Sequence, residues 1–188
     1  MNCADLNLFS PACGGGKQEN LPCASPPPRE GGTLEYAIVR VDRTNYPLFD
    51  HAVFQRVNGR ERTEHERAEV QNVDTIYKAL GNENLFVFAA STEDQFVGWI
   101  SLVYMPKIGR TNGKGYLFID ELWVAPAYRR KGIAHALMAK AEALSKEMNT
   151  LGIRLYVNTA NHEAISLYQT CGYTKQGEAF FMEKEREE

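Results

Sequence analysis

Long apolar runs are missing from this 188-residue chain. None exceeds strand length, so no membrane-crossing helix fits and no membrane partner is expected. A basic excess is missing too. Lys and Arg total 21 against 24 Asp and Glu, a formal net charge of −3, and no Lys/Arg-rich tail is present. A protein that holds nucleic acid mainly by neutralising phosphates needs the opposite balance, so no nucleic-acid partner is expected. Cysteine is scarce: Cys3, Cys13, Cys23 and Cys171 include no C-x-x-C pair, and the four histidines are scattered. Neither a metal site nor a disulfide framework is expected. The opening residues lack a basic stretch followed by a sustained apolar core, so they do not read as a signal peptide. A cytoplasmic protein is the expectation.

What is present divides into two parts. Residues 1–33 hold five of the eight prolines and five of the fifteen glycines, with no hydrophobic period. Such a segment buries too little apolar surface to offset its ordering entropy, so a disordered tail is expected over 1–33 and one folded domain over 34–188. In the domain, Tyr36–Val41 reads as a strand. Leu48, Phe49, Ala52, Val53 and Val57 give a helical stripe after Pro47. Val70, Val73, Ile76, Tyr77 and Leu80 give a second, ended by Gly81.

The period then changes. Leu85–Ala90 and Phe96–Tyr104 read as a hairpin, and Tyr116–Val124, apolar on both faces, as a central strand. A helix is expected from about Gly132 to Asn149, because Ile133, Leu137, Ala141, Leu144 and Met148 share one face. Ile153–Val157 reads as a strand, His162–Thr170 as a short helix closed by Gly172, and Glu178–Glu183 as a last strand. The order implies an α/β fold around a mixed sheet. A right-handed parallel crossover is expected through residues 116–157.

The segment Arg129-Arg130-Lys131-Gly132-Ile133-Ala134 carries the first chemical signal. Three cations stand where a helix begins, although the helix dipole favours anions there. An anion bound to the first-turn amides resolves the conflict, with Arg and Lys adding charge and Gly132 and Ala134 leaving room for its approach. Taken alone, the segment also fits a solvated basic loop.

The spacing Arg129-x-x-Gly132-x-Ala134, directly between an apolar strand and an amphipathic helix, resembles the acetyl-CoA signature of the GCN5-related N-acetyltransferases. Asn161-x-x-Ala164, then Leu167-Tyr168, then Gly172-Tyr173 is similar to that family's second cofactor segment. The resemblance runs from about Leu34 to Glu183. It implies a mixed sheet of about six to seven strands, flanked by helices on both faces, with a splayed central parallel strand pair. It also implies that Leu122, Trp123 and Val124 offer backbone hydrogen bonds to the pantetheine arm, and that Arg129, Arg130, Lys131, Gly132, Ile133 and Ala134 cradle the pyrophosphate. Asn161 would hold the cofactor arm, and Tyr168 would sit near the thioester sulfur.

Attack on a thioester requires a neutral amine. Deprotonating a lysine-like amine, with a pKa of about 10.4, at pH 7 costs roughly 4–5 kcal/mol, so a base is useful. Asp120 and Glu121 are the candidates, with Glu121 put first, because two acids inside an apolar strand are costly unless solvated, paired or useful. Alternation along a strand places them on opposite faces. An acid pair here is similar to polyamine-type members; a structural pairing of either acid is the alternative. Tyr168, by resemblance, would protonate the leaving thiolate. Arg56, Arg60, Arg62 and Arg67 interleave with Glu61, Glu64, Glu66 and Glu69, a pattern expected of a solvated helix face.

The function expected from these residues and the resemblance is direct acetyl transfer from acetyl-CoA, without a metal, to a primary amine. A small cationic amine is the first choice and a protein lysine or N-terminus the second. A non-catalytic acyl-CoA sensor is the rival, needing neither Tyr168 nor an acid. The oligomeric state is left open, with a homodimer one state the sequence allows.

Overall fold

A computed structural model describes residues 34–68, 73–93, 95–109, 112–180 and 182–184. The expected tail over 1–33 lies outside the described residues. The elements are β1 (Ala37–Arg40), α1 (Tyr46–Asn58), α2 (Glu64–Ala68), α3 (Val73–Leu80), β2 (Leu85–Ser91), β3 (Phe96–Met105), β4 (Tyr116–Val124), α4 (Ile133–Glu147), β5 (Ile153–Leu155) and α5 (His162–Thr170). No helix among the described residues is long and apolar enough to cross a membrane.

The five strands lie in the order β1-β2-β3-β4-β5. All pairs are antiparallel except β4–β5, which is parallel and joined through α4. Apolar side chains fill both faces. On one face Ile100, Leu102, Leu117 and Ile119 meet Ile133, Leu137, Ala141 and Leu144 of α4 and Ala164 and Tyr168 of α5. On the other, Val87, Ala89, Phe96 and Trp99 meet Ala52 of α1, with Phe49 and Val53 beside it. The helical stripes read from the sequence are the faces that bury. Gly98 lets β3 lie close to β4, since a Cβ there would come 2.8 Å from the Trp123 carbonyl oxygen.

The described residues form five strands rather than six to seven. Thr174–Phe180 and residues 182–184 are in no strand, so the expected strand over Glu178–Glu183 does not form there. A strand needs a ladder partner, and the neighbouring β5 has only three residues. The run also follows Gly177 and ends in charged residues, with little alternating apolar surface to bury.

The β3–β4 ladder shifts register between Ser101 and Leu102. Ser101 of β3 lies opposite Glu121, and the next residue, Leu102, lies opposite Ile119. Asp120 therefore has no ladder partner and forms a β-bulge. The bulge shifts the alternation by one, so Leu117 and Ile119 and then Leu122 and Val124 all face the α4 side. It also corrects the expectation that Asp120 and Glu121 face opposite ways. Glu121 bonds to Trp99 and Asp120 to Ser101. Trp99 and Ser101, two residues apart on one strand, share the α1 face. Both acids thus reach the same side of the sheet.

Candidate functional site

β4 and β5 pair only from Leu117–Ile119 to Ile153–Leu155. Beyond that point β4 continues to Val124 with β3 as its strand partner, while Tyr156 and Val157 leave the ladder. Alternate backbone N–H and C=O groups of Asp120–Val124 therefore have no strand partner on the β5 side among the described residues. At the end of this stretch the Arg129 Nε donates to the Val124 carbonyl oxygen at 3.1 Å. The side chains of Leu122 and Val124 are buried on the α4 side, and Trp123 packs against Trp99 on the other. What these three residues can offer a ligand is mainly backbone.

The chain then turns into α4. Pro126–Tyr128 forms a single tight turn. It is anchored by the buried Tyr128, whose hydroxyl accepts from the Gln95 amide at 2.9 Å. Arg130 and Gly132 both take left-handed backbone, with φ of 63° and 82°. Such left-handed residues turn neighbouring amides toward one concave side and suit anions. Gly132 caps α4 with no side chain, and the first turn of the helix carries no acid. Arg129, Arg130 and Lys131 are exposed, and none is in an ion pair among the described residues. Ile133 is buried in the core and Ala134 half-buried, so they too present backbone. Positive potential is concentrated where the divergent end of β4 meets the helix N-terminus.

The second segment is placed by α5. The Asn161 Oδ1 accepts from the Ala164 N–H at 2.9 Å and caps the helix. Tyr168 is 3% exposed and belongs to the same cluster as Leu122, Val124 and Ile133. Its ring lies 6.1 Å from that of Tyr173. The Tyr173 hydroxyl is buried with no hydrogen-bond partner among the described residues, and burial pushes its ionisation well above the usual range. Burial also pushes the Cys171 thiol up, with Glu142 adding to the effect. A thiol held protonated suits an acyl-carrying nucleophile poorly. His135 and His162 are exposed, His135 lying 3.2 Å from the Thr170 hydroxyl.

The two acids differ sharply in surroundings. Asp120 is exposed and accepts one hydrogen bond, from the Ser101 hydroxyl at 3.3 Å. Glu121 is half-buried and engaged at both oxygens: Oε2 accepts from the Trp99 indole N–H at 2.6 Å, and Oε1 pairs with the Arg56 guanidinium. The expectation that Arg56 sits on a solvated helix face is thereby corrected. Arg56 turns inward, 13% exposed, because the half-buried carboxylate and two indole rings attract it more than the loop acids do. Arg60 and Arg62 take Glu66 and Asp50 instead. Among the described residues no group of three or more His, Cys, Asp and Glu could hold a metal ion.

The model of the Acetyltransferase (GNAT) family matches residues 49–173. A streptothricin acetyltransferase from Escherichia coli is 34% identical over 107 residues, 56% of each chain. Streptothricin acetyltransferase A from Bacillus subtilis (strain 168) is 28% identical over 123 residues, 65% of this chain and 66% of the relative. The chain thus spans about half to two thirds of the length of these curated relatives. Among solved structures, AAC(6')-Iy in complex with a bisubstrate analogue, CoA-S-monomethyl-acetylneamine, superposes with a TM-score of 0.62. It is 14% identical, covering 81% of this chain and 99% of that one, a likeness of fold. With the family model spanning α1 through α5, the chain belongs to the acetyltransferase (GNAT) family.

Proposed function

We propose that this protein is an acetyl-CoA-dependent N-acetyltransferase that transfers acetyl directly to a primary amine, a small cationic one in the first instance. The observation that carries this is the divergence of β4 from β5, which runs straight into the left-handed turn at Arg130 and Gly132. Acetyl-CoA supplies the activated acyl group. On the side away from β3, the backbone of Leu122, Trp123 and Val124 has no strand partner among the described residues and suits an amide-bearing arm laid alongside it. The amides of the turn, together with Arg129, Arg130 and Lys131, suit a pyrophosphate. Asn161, whose Oδ1 caps α5, is the residue we assign to the same arm.

The acceptor needs a proton taken away. Asp120, exposed and lightly held, is the group we assign to that task, directly or through one water. Glu121 already has both oxygens engaged. An exposed carboxylate at the reaction centre also complements a cationic acceptor. The names of the two relatives, and the acetylneamine part of the analogue bound to the structural neighbour, support a small-molecule amine over a protein lysine or N-terminus. Tyr168 is the group we assign to protonate the leaving thiolate.

The test is release of free CoA thiol from acetyl-CoA across a panel of amines, from small diamines to lysine peptides. Release with small cationic amines is expected. Tight acetyl-CoA binding with no release from any amine would leave the sensor instead. Arg129→Ala separates binding from chemistry. It should weaken acetyl-CoA by about tenfold to a hundredfold, the worth of one charge-assisted contact. Desulfo-CoA should suffer equally, because the lost contact is to phosphate. Unchanged affinity for both ligands in calorimetry would sink the anion-site assignment.

A further inference from the structure

Glu121, Arg56, Trp99 and Trp123 come together at the bulge. The Arg56 guanidinium lies 5.4 Å from the Trp99 ring centre and 5.6 Å from that of Trp123. The two rings are 4.4 Å apart. Glu121 pairs with Arg56 through one oxygen and accepts the Trp99 indole N–H through the other. Three elements meet here: α1 through Arg56, β3 through Trp99, and β4 through Glu121 and Trp123.

The location matters because of what the bulge leaves loose. Asp120 has no ladder partner, and its carboxylate accepts a 3.3 Å bond from Ser101. Glu121 is the first residue to re-enter the ladder, opposite Ser101. Where Glu121 is held, the bulge closes. A slip of one residue would put Asp120 opposite Ser101 and turn Leu122 and Val124 out of the core. Arginine suits this post, since a planar guanidinium can lie on aromatic rings and pair with a carboxylate at the same time, which an ammonium does less well.

We propose that Arg56 is a positioning residue: set over the Trp99 and Trp123 rings at cation–π distance and paired with Glu121, it locks the β4 bulge so that Asp120 faces the acceptor amine. The role of Asp120 rests on the function proposed above, whereas the lock itself does not. Glu121 then serves as the anchor of that lock.

The test is a double-mutant cycle of Arg56→Ala and Glu121→Gln in the full chain, with Arg56→Lys beside it. Arg56→Ala should lower kcat about 10- to 100-fold, as expected when a reacting group is misplaced by about an ångström. Acetyl-CoA affinity by calorimetry should stay within about twofold. The double variant should lose no more kcat than Arg56→Ala alone, since both changes open the same lock. Arg56→Lys should recover part of the loss. Tryptophan emission should shift alike in Arg56→Ala and Glu121→Gln, whether or not an acceptor is known. If kcat effects multiply, or Arg56→Ala retains wild-type kcat, the positioning role is overturned. If the emission shifts are unrelated in the two variants, the lock is overturned. Coupled emission shifts in a protein that acetylates nothing would sustain the lock and overturn the proposed activity alone. Should Arg56→Ala fold poorly, Arg56→Lys and Glu121→Gln carry the same comparison.

Discussion

Replacing Asp120 by Asn is expected to lower kcat/KM for a lysine-like amine by about 10²–10⁴-fold near neutral pH, the usual worth of a positioned base. The substitution keeps the shape and the hydrogen bond from Ser101 while removing the proton acceptor. The defect should shrink as pH rises toward the amine's own pKa of about 10.4, because solvent then deprotonates the nucleophile unaided. Glu121→Gln should behave otherwise. A half-buried partner of Arg56 contributes position, so its loss should be smaller and of similar size at every pH tested. A pH profile for Asp120→Asn that runs parallel to wild type would transfer the base role elsewhere. A Glu121→Gln profile that recovers at high pH would identify Glu121 as the group concerned.

How much of this was open to reading from the chain itself differs from element to element. α4 was legible because Ile133, Leu137, Ala141 and Leu144 repeat at helical spacing, and those side chains bury. The turn before it was legible because three cations precede a helix against the dipole, with Gly132 at the left-handed position. The bulge in β4 was harder. Its trace is the spacing of the residues facing α4: Leu117, Ile119, Leu122 and Val124 step by two, three and two. Tyr116, Phe118 and Trp123 are also apolar and hide that break of phase. Without the bulge, alternation assigns Asp120 and Glu121 to opposite faces, as the sequence suggested.

Arg56 was beyond reach for a different reason. Its sequence neighbours offer Glu61 and Glu66, and local charge patterning favours those partners. Its real partner lies on a strand far along the chain, and only tertiary packing brings the two together. Among the described residues the last strand is absent, for want of a ladder. Glu178–Glu183 has some strand-like character, but β5 ends at Leu155 and offers little edge to join. Local propensity cannot supply a partner that the sheet does not extend.

Tyr168→Phe is expected to slow acetyl transfer by about 10²–10⁴-fold while leaving acetyl-CoA affinity nearly unchanged. The argument begins with packing. At 3% exposure Tyr168 sits in the core among Leu122, Val124 and Ile133, so the ring must stay and only the hydroxyl can be removed cleanly. Phe preserves that ring, and the protein should melt close to wild type. The Tyr168 hydroxyl is the group assigned to give a proton to a departing thiolate, which at a pKa of about 8.5 for a cysteine-like thiol leaves more readily when protonated. A fall in kcat with KM held would mean that the interaction exists mainly in the transition state. An acetyl donor with a more acidic thiol should narrow the gap between variant and wild type, because its thiolate needs the proton less. Tyr173 is the competing donor, since its hydroxyl is buried 6.1 Å away, ring centre to ring centre, and lacks a hydrogen-bond partner among the described residues. Tyr173→Phe should therefore leave single-turnover rates within about twofold if Tyr168 is the acid. Normal single-turnover rates in Tyr168→Phe, with slow ones in Tyr173→Phe, would reverse the two roles. Normal rates in both would make them packing residues and leave the sulfur to be protonated by water or by the acceptor.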